Sequence, residues 1–313
     1  MRRILEALRS RWARGLFLLA ALAFGVWAVS SQWSDVSAAL ASLSPAGIVA
    51  VLGISLVYVC LTMLSWRAVM TDLGSPLAVT DSSRVFFVSQ VGKYLPGGVW
   101  NIVAAAEMGA DHRIPRRRSV SAMAVSILVS IVTGLLLAVV AVLLGPSDIR
   151  DTYGWVVWSL PLFVVLLAPP VLNRVLGLAL SLVRRPPLEK PLSLGGITRS
   201  AGWALAGWIV AGVQVWVIGT SLGMDVTVAT LALAVGGYAL AWIVGFLAIV
   251  VPAGVGVREA VLGALLTGQL GAGAVVVTVL LARVVLTVAD LLLGLGAMSV
   301  LRRRSRQGTL PRS

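Results

Sequence analysis

Two stretches of this chain combine helix breakers with charged side chains in apolar surroundings, a composition that can hold an ionic ligand at membrane depth. The first reads Gly92-Lys93-Tyr94-Leu95-Pro96-Gly97-Gly98-Val99-Trp100-Asn101. Proline removes a backbone donor and glycine admits positive φ, so a helix stops here and the chain turns. A second helix can start at Val99, and its first amides then lack intrahelical partners and point at the turn. Those donors suit an anion, with the Lys93 ammonium beside them. The alternative is a surface Pro-Gly turn carrying a snorkelling lysine.

The second stretch reads Val250-Val251-Pro252-Ala253-Gly254-Val255-Gly256-Val257-Arg258-Glu259-Ala260. The same elements return: a proline, glycines, then a helix start with a basic residue. Arg258 and Glu259 can pair with polar neighbours or with a ligand phosphate; the alternative is a helix kink with an internal Arg–Glu pair. The pattern is not a dinucleotide fingerprint, because Glu259 stands where the third glycine belongs, and no Gly-Lys-Ser/Thr follows to make a phosphate loop. Three more charges are placed at membrane depth: Glu107 at the end of the first broken segment, and Arg283 and Asp290, seven residues apart on one face of the last apolar run with Thr287 between them. Intramembrane ionisable residues are functional candidates by default. A structural Arg–Asp contact, or snorkelling near the ends, is the alternative for the last two.

The elements that position these residues follow from composition. The chain has 313 residues, 59% hydrophobic and 12% charged, with a mean hydropathy of +0.99. A soluble domain carries about 25% charged residues, so this chain cannot cover a water-exposed surface, and a soluble enzyme is excluded. Long uncharged runs without ten-residue alternation indicate an all-α polytopic membrane protein rather than a barrel. The net charge of +13 reads as cytoplasmic loops and not as nucleic-acid binding. One cysteine, Cys60, precludes an intrachain disulfide, and one histidine, His112, precludes a two-histidine zinc site. No metal, cofactor or catalytic motif is expected.

Residues 15–31 follow Arg2, Arg3, Arg9, Arg11 and Arg14 and read as a signal anchor with a cytoplasmic N-terminus; a cleaved signal peptide is the rival. Further spans are expected at 46–70, 119–144, 155–180, 200–222 and 274–300, giving about six. The loop 32–45 places Trp33, Val36, Leu40 and Leu43 at helical spacing, a short interfacial helix. The tail carries Arg302, Arg303, Arg304, Arg306 and Arg312 and belongs inside. Residues 1–14 and 302–313 are thus basic cytoplasmic ends around a single transmembrane domain, 15–301. The segment 85–108 has cytoplasmic flanks on both sides and is expected as a re-entrant hairpin. Parity then makes 227–268 a second one, entering from outside; a full span over 227–251 is the alternative. Span, hairpin, span occurs twice with opposite orientation, the inverted repeat of many transporters. The glycines at 236, 237, 245, 294 and 296 are expected to permit close helix packing.

The two stretches resemble the two signatures of the lysylphosphatidylglycerol synthase transmembrane-region family, a Gly-Lys-Tyr…Pro-Gly-x-x-Trp stretch and a Pro-x-Gly-x-Gly-x-Arg-Glu stretch. The resemblance runs from the second span to the last. It implies a lipid translocase fold, as in the flippase half of the bacterial multiple peptide resistance factor, and a bacterial plasma membrane. The chain stops soon after Leu301, so a standalone member without the aminoacyl-lipid synthase domain is expected. The expected function is movement of a phospholipid or lipid-linked headgroup between leaflets by a non-enzymatic transporter, with an anionic or phosphate-bearing membrane lipid as partner. Homo-oligomerisation is left open. A scaffold or assembly factor, and an intramembrane lipid-modifying transferase, are the alternatives. The substrate-binding set is Lys93, Tyr94, Pro96, Gly97, Gly98, Trp100, Asn101, Pro252, Gly254, Gly256, Arg258 and Glu259, with Glu107, Arg283 and Asp290 as further cavity charges.

Overall fold

A computed structural model describes residues 33–94, 100–182, 190–248 and 254–306. The expected first span at 15–31 and the turn residues Pro96, Gly97, Gly98 and Pro252 lie outside the described residues. Among the described residues the secondary structure is helical, apart from an isolated bridge between Thr267 and Leu270. In chain order the helices are α1 Trp33–Ser42, α2 Pro45–Asp72, α3 Val79–Val91, α4 Trp100–Asp111, α5 Arg116–Leu144, α6 Ser147–Tyr153, α7 Leu160–Leu166, α8 Pro169–Leu182, α9 Leu194–Ser221, α10 Val228–Leu247, α11 Val257–Leu266 and α12 Ala272–Arg306. A 3-10 turn, Gly92–Tyr94, extends α3, and a second, Gly154–Ser159, joins α6 to α7.

Five of these, α2, α5, α9, α10 and α12, are long and apolar enough to cross a membrane. The protein is therefore an all-α multi-pass membrane protein. The expected spans at 46–70, 119–144 and 274–300 fall within α2, α5 and α12, the one at 200–222 overruns the end of α9 by one residue, and α1 is the short helix expected in 32–45. The run 155–180 is not one straight span. It breaks at Leu167–Ala168 and bends by 85° before Pro169. Pro169 has no N–H to continue the α7 ladder, and the last amides tighten instead, Leu167 donating to Val164 at 3.2 Å and Ala168 to Val165 at 3.0 Å. The two broken segments also differ from each other. α3 and α4, at 13 and 12 residues, are each too short to cross a bilayer, which takes ~20. α10, at 20 residues, is by length and composition able to cross by itself, whereas α11 has 10. The order long helix, broken pair, long helix occurs twice, as α2, α3–α4, α5 and as α9, α10–α11, α12.

The contacts divide the chain into two compact units. One comprises Leu56–Thr133, Pro161–Gly207 and the chain from Leu286 onward; the other comprises the chain through Ser55, Gly134–Leu160 and Trp208–Val285. In the first, α3 packs against α4, and their neck is closed at Gly92, where a Cβ would stand 2.9 Å from the Asn101 nitrogen and the Trp100 carbonyl carbon. α2 is tied to α9 by the Ser65 hydroxyl, which donates to the Ser200 carbonyl at 2.9 Å. Asp72 holds the start of α9: its Oδ2 accepts from the Ser193 N–H at 2.7 Å and its Oδ1 from the Ser193 hydroxyl at 2.6 Å. The buried Trp66 and Phe86 rings meet at 5.6 Å.

In the second unit, α10 packs against α11. The start of α10 is capped reciprocally: Thr227 Oγ1 accepts from the Thr230 N–H at 3.1 Å, and Thr230 Oγ1 accepts from the Thr227 N–H at 3.3 Å. Gly236 lets α10 lie against α5 at Ala138 and Ala141, and Gly212 lets α9 lie against Val235. Gln214, fully buried on α9, donates through Nε2 to the Ala282 carbonyl of α12 at 3.0 Å.

The expected packing glycines are not equivalent. A Cβ on Gly294 would meet Val91 Cγ2 at 2.6 Å and the Phe87 carbonyl oxygen at 3.2 Å, whereas one on Gly296 meets nothing within 4 Å. Gly294→Ala is therefore expected to cost about 1–3 kcal/mol by overpacking. Gly296→Ala is expected to be neutral or stabilising by up to ~1 kcal/mol through helix propensity. Thermal unfolding of the two variants in detergent separates them; equal midpoints would count against the packing described for α3 and α12.

Candidate functional site

The first broken segment builds its site around one carboxylate. On α12, Asp290 and Gly294 are one turn apart and share a face. On α3 and its 3-10 extension, Phe87, Val91 and Tyr94 recur at spacings of four and three and share another. Because Gly294 has no side chain, Val91 and the Phe87 carbonyl come close to α12. One turn away, the 3-10 turn delivers two adjacent side chains to the same oxygen. Lys93 Nζ lies 2.7 Å from Asp290 Oδ2, and the Tyr94 hydroxyl donates to Oδ2 at 2.6 Å. Asp290 is only 1% exposed, while the Lys93 side chain keeps 31% of its surface. The ammonium also sits 5.4 Å from the Tyr94 ring centroid, within reach of a cation–π attraction. Asp290 Oδ1 is buried and accepts no hydrogen bond.

The second broken segment builds its site around two guanidinium groups. Gly254 and Gly256 take φ of +67° and +84°, left-handed values open to glycine at little cost. Gly254 also lies against Gly245, where a Cβ would stand 2.9 Å from that backbone. This turn starts α11, and Glu259 Oε2 accepts the orphan Gly256 N–H at 2.6 Å. The other carboxylate oxygen, Oε1, lies 3.6 Å from Arg283 Nη1 of α12. Arg258 packs its stem over Gly245, donates through Nη2 to the Tyr238 hydroxyl at 3.0 Å, and holds its guanidinium carbon 5.4 Å from the Tyr238 ring centroid. Tyr238 is buried and braced by Trp208, ring centroids 6.3 Å apart.

These geometries rearrange several expectations. Lys93 and Tyr94 are brought together, but on a carboxylate. Arg283 and Asp290 share a helix face yet do not pair; Arg283 pairs with Glu259 and Asp290 with Lys93. Glu107 is not among the buried charges. Its side chain is 57% exposed and it takes two hydrogen bonds from Arg116, at 2.8 and 2.7 Å. Those bonds hold its carboxyl below the usual glutamate range, so the pair persists at neutral pH and is lost as pH falls through the lowered value. Trp100 and Asn101 open α4 against Gly92. Tyr238 and Gln214 are additions that sequence reasoning passed over. A buried glutamine in an apolar span was the available signal for the second, whereas nothing local marked the first.

The fold and these charge clusters define a polytopic helical membrane protein with ionised side chains gathered where its helices break. Residues 12–294 match the lysylphosphatidylglycerol synthase transmembrane region, and the chain belongs to that family. No curated protein matches the chain significantly.

Removing one member of a buried ion pair strands the other, at a cost of about 3–5 kcal/mol. Lys93→Met should therefore lower stability by an amount near the lower end of that range, because Lys93 is partly exposed. Adding Asp290→Asn should return most of the loss, since no buried charge is then left alone. Denaturation of the single and double variants measures the coupling, and additive losses would show that the pair is not energetically joined.

Proposed function

We propose that the protein is a lipid translocase that moves an anionic, phosphate-bearing headgroup between the leaflets of a bacterial plasma membrane, with both chain termini cytoplasmic. The family is linked by its name to lysylphosphatidylglycerol, a phospholipid. The observation that carries the reading is the charge held at the α10–α11 break. Two guanidinium groups stand there: Arg283 lies 3.6 Å from the Glu259 carboxylate, and Arg258 donates to the Tyr238 hydroxyl at 3.0 Å. A phosphodiester monoanion takes charge-assisted hydrogen bonds from arginine. Arg258 is held by a phenol hydroxyl and a ring face, contacts that a phosphate oxygen can replace. At the α3–α4 break the charges already balance, one ammonium against one carboxylate.

In this reading α3 and α4 form a re-entrant pair entering from the cytoplasmic side, and the two copies of the long–broken–long order are oppositely oriented, as alternating access requires. Acyl chains stay in the bilayer while the headgroup passes Arg258. Backbone left unpaired at such breaks is tolerated where protein or water covers it, which suits a polar passage.

Reconstitution tests this. Vesicles carrying fluorescent phosphatidylglycerol, with an impermeant quencher added outside, report leaflet exchange. The wild type should accelerate exchange over protein-free vesicles, and Lys93→Ala with Arg258→Ala should reduce that acceleration at least tenfold. Equal rates for wild type and double variant would falsify the assignment of these cations to the headgroup.

A further inference from the structure

The helices α2, α4 and α9 end in the same hydrogen-bonded turn, and one of the three carries an unexpected residue at its tightest position. At the end of α2, the Gly74 N–H donates to the Thr71 carbonyl at 3.1 Å and the Ser75 N–H to the Met70 carbonyl at 3.0 Å. At the end of α9, the Gly223 N–H donates to the Thr220 carbonyl at 3.3 Å and the Met224 N–H to the Gly219 carbonyl at 2.9 Å. At the end of α4, the Arg113 N–H donates to the Ala110 carbonyl at 2.9 Å and the Ile114 N–H to the Gly109 carbonyl at 3.0 Å. This pair of bonds closes a helix through a left-handed residue, usually glycine because a Cβ is crowded there. Gly74 and Gly223 have φ of +87° and +102°. Arg113 has φ of +59°, and among the described residues it is the only non-glycine with a positive value. The buried Ile114 that follows it anchors the turn.

Glycine would close the α4 turn with less strain, so the arginine brings something that glycine lacks. What it brings is a guanidinium at a membrane boundary, because the turn leads directly into α5, a helix of membrane-crossing length. We infer that the α4–α5 turn is a docking site for anionic phospholipid headgroups, with Arg113 as its phosphate-binding residue. The guanidinium fork matches two phosphate oxygens, and among the described residues the Arg113 side chain makes no hydrogen bond or ion pair. The surroundings have the complementary sign. Arg118 donates to the Gly74 carbonyl at 3.2 Å and to the Ser75 hydroxyl at 2.7 Å, and Asp72 holds Ser193. The ends of α2 and α4 and the starts of α5 and α9 therefore share one face. On it the Arg116–Glu107 pair balances itself, while Arg113, Arg117, Lys190 and Arg199 are exposed beside Asp111. Basic side chains at a membrane boundary are drawn to an anionic leaflet surface. Docking here does not depend on translocation, since a lipid can be held at this turn whether or not it is then moved.

Two neighbouring arginines serve the fold instead. Arg116 gives two hydrogen bonds to Glu107, and Arg118 ties α5 to the end of α2. Their loss would disturb the packing. Loss of Arg113 to glycine relaxes a strained backbone and removes a phosphate ligand at the same time. Stability and lipid affinity are thus expected to move in opposite directions at this residue, which a merely structural arginine would not produce.

Thermal unfolding of the full chain in a neutral detergent, titrated with dioctanoyl phosphatidylglycerol, tests the inference. A lipid that binds the folded state raises the midpoint, and the concentration dependence gives the affinity. Without lipid, Arg113→Gly should unfold about 1–3 °C above the wild type, and Arg113→Gln, which keeps the Cβ, at the wild-type midpoint. In the titration both variants should bind phosphatidylglycerol about tenfold more weakly than the wild type, the loss expected for charge-assisted hydrogen bonds. Arg199→Gln, which removes a charge from the same face, should change the affinity by less than about twofold. Wild-type affinity in Arg113→Gln overturns the docking site. An equal loss in Arg199→Gln also overturns it, because the attraction is then diffuse. Inorganic phosphate that raises the wild-type midpoint as much as phosphatidylglycerol overturns the lipid as occupant. An Arg113→Gly variant no more stable than the wild type overturns the argument from strain. Loss of binding in Arg258→Ala, with full binding in Arg113→Gln, assigns the phosphate to the α10–α11 break instead.

Discussion

The buried charges described here answer to one constraint: a charged group at membrane depth must find a partner in protein, because the surrounding lipid offers none. The Asp290 carboxylate is the most demanding case. It is buried on the longest helix described, and its charge is matched by a lysine and a tyrosine on one short turn. That match dictates where the α3–α4 segment must end and how closely it must approach α12. The same demand explains the termini. α9 begins on a serine held by Asp72, α10 on a reciprocal pair of threonines, and α11 on an amide accepted by Glu259.

Glycine is what makes the matches reachable. Helix axes normally stand 8–10 Å apart, and side chains at the crossing set the distance. Gly294 opens the crossing of α12 with α3 at the point where Lys93 must reach Asp290, and Gly245 opens the ground over which Arg258 lies. Each charged cluster therefore has a glycine beside it on the helix that receives the charge. The two clusters are chemically reversed. At one break a cation from the turn meets an acid from α12, and at the other an acid from the turn meets a cation from α12.

Much of this was legible in the residues. Four of the apolar runs became membrane-length helices, and the two breaks fell where glycine interrupted them, because hydropathy and backbone freedom are local properties. The pairings were not legible. Arg283 and Asp290 are seven residues apart and look like a natural couple, yet each is satisfied by a residue far away in the chain. Sequence spacing reports which side chains share a face and says nothing about what that face meets. Tyr238 was missed for the same reason, as was the difference between Gly294 and Gly296. The 85° bend before Pro169 was present in the sequence as a Pro-Pro pair, but the apolar run around it reads continuously through the break. Glu107 was placed among buried charges by its position in that segment, and Arg116, nine residues on, draws it out.

The separation of the Asp290 partners also bears on how the molecule is made. Tyr94 and Asp290 are 196 residues apart, and synthesis proceeds at ~5–20 residues per second. The lysine-bearing turn therefore leaves the ribosome roughly 10–40 seconds before its counter-ion exists. During that interval it has no carboxylate to hold it, and an ammonium without a partner is expensive in lipid. The Lys93 turn has to wait at the membrane surface, or lean on lipid phosphate, until α12 is inserted. The charge pair that joins this turn to α12 therefore forms late, once α12 has reached the membrane.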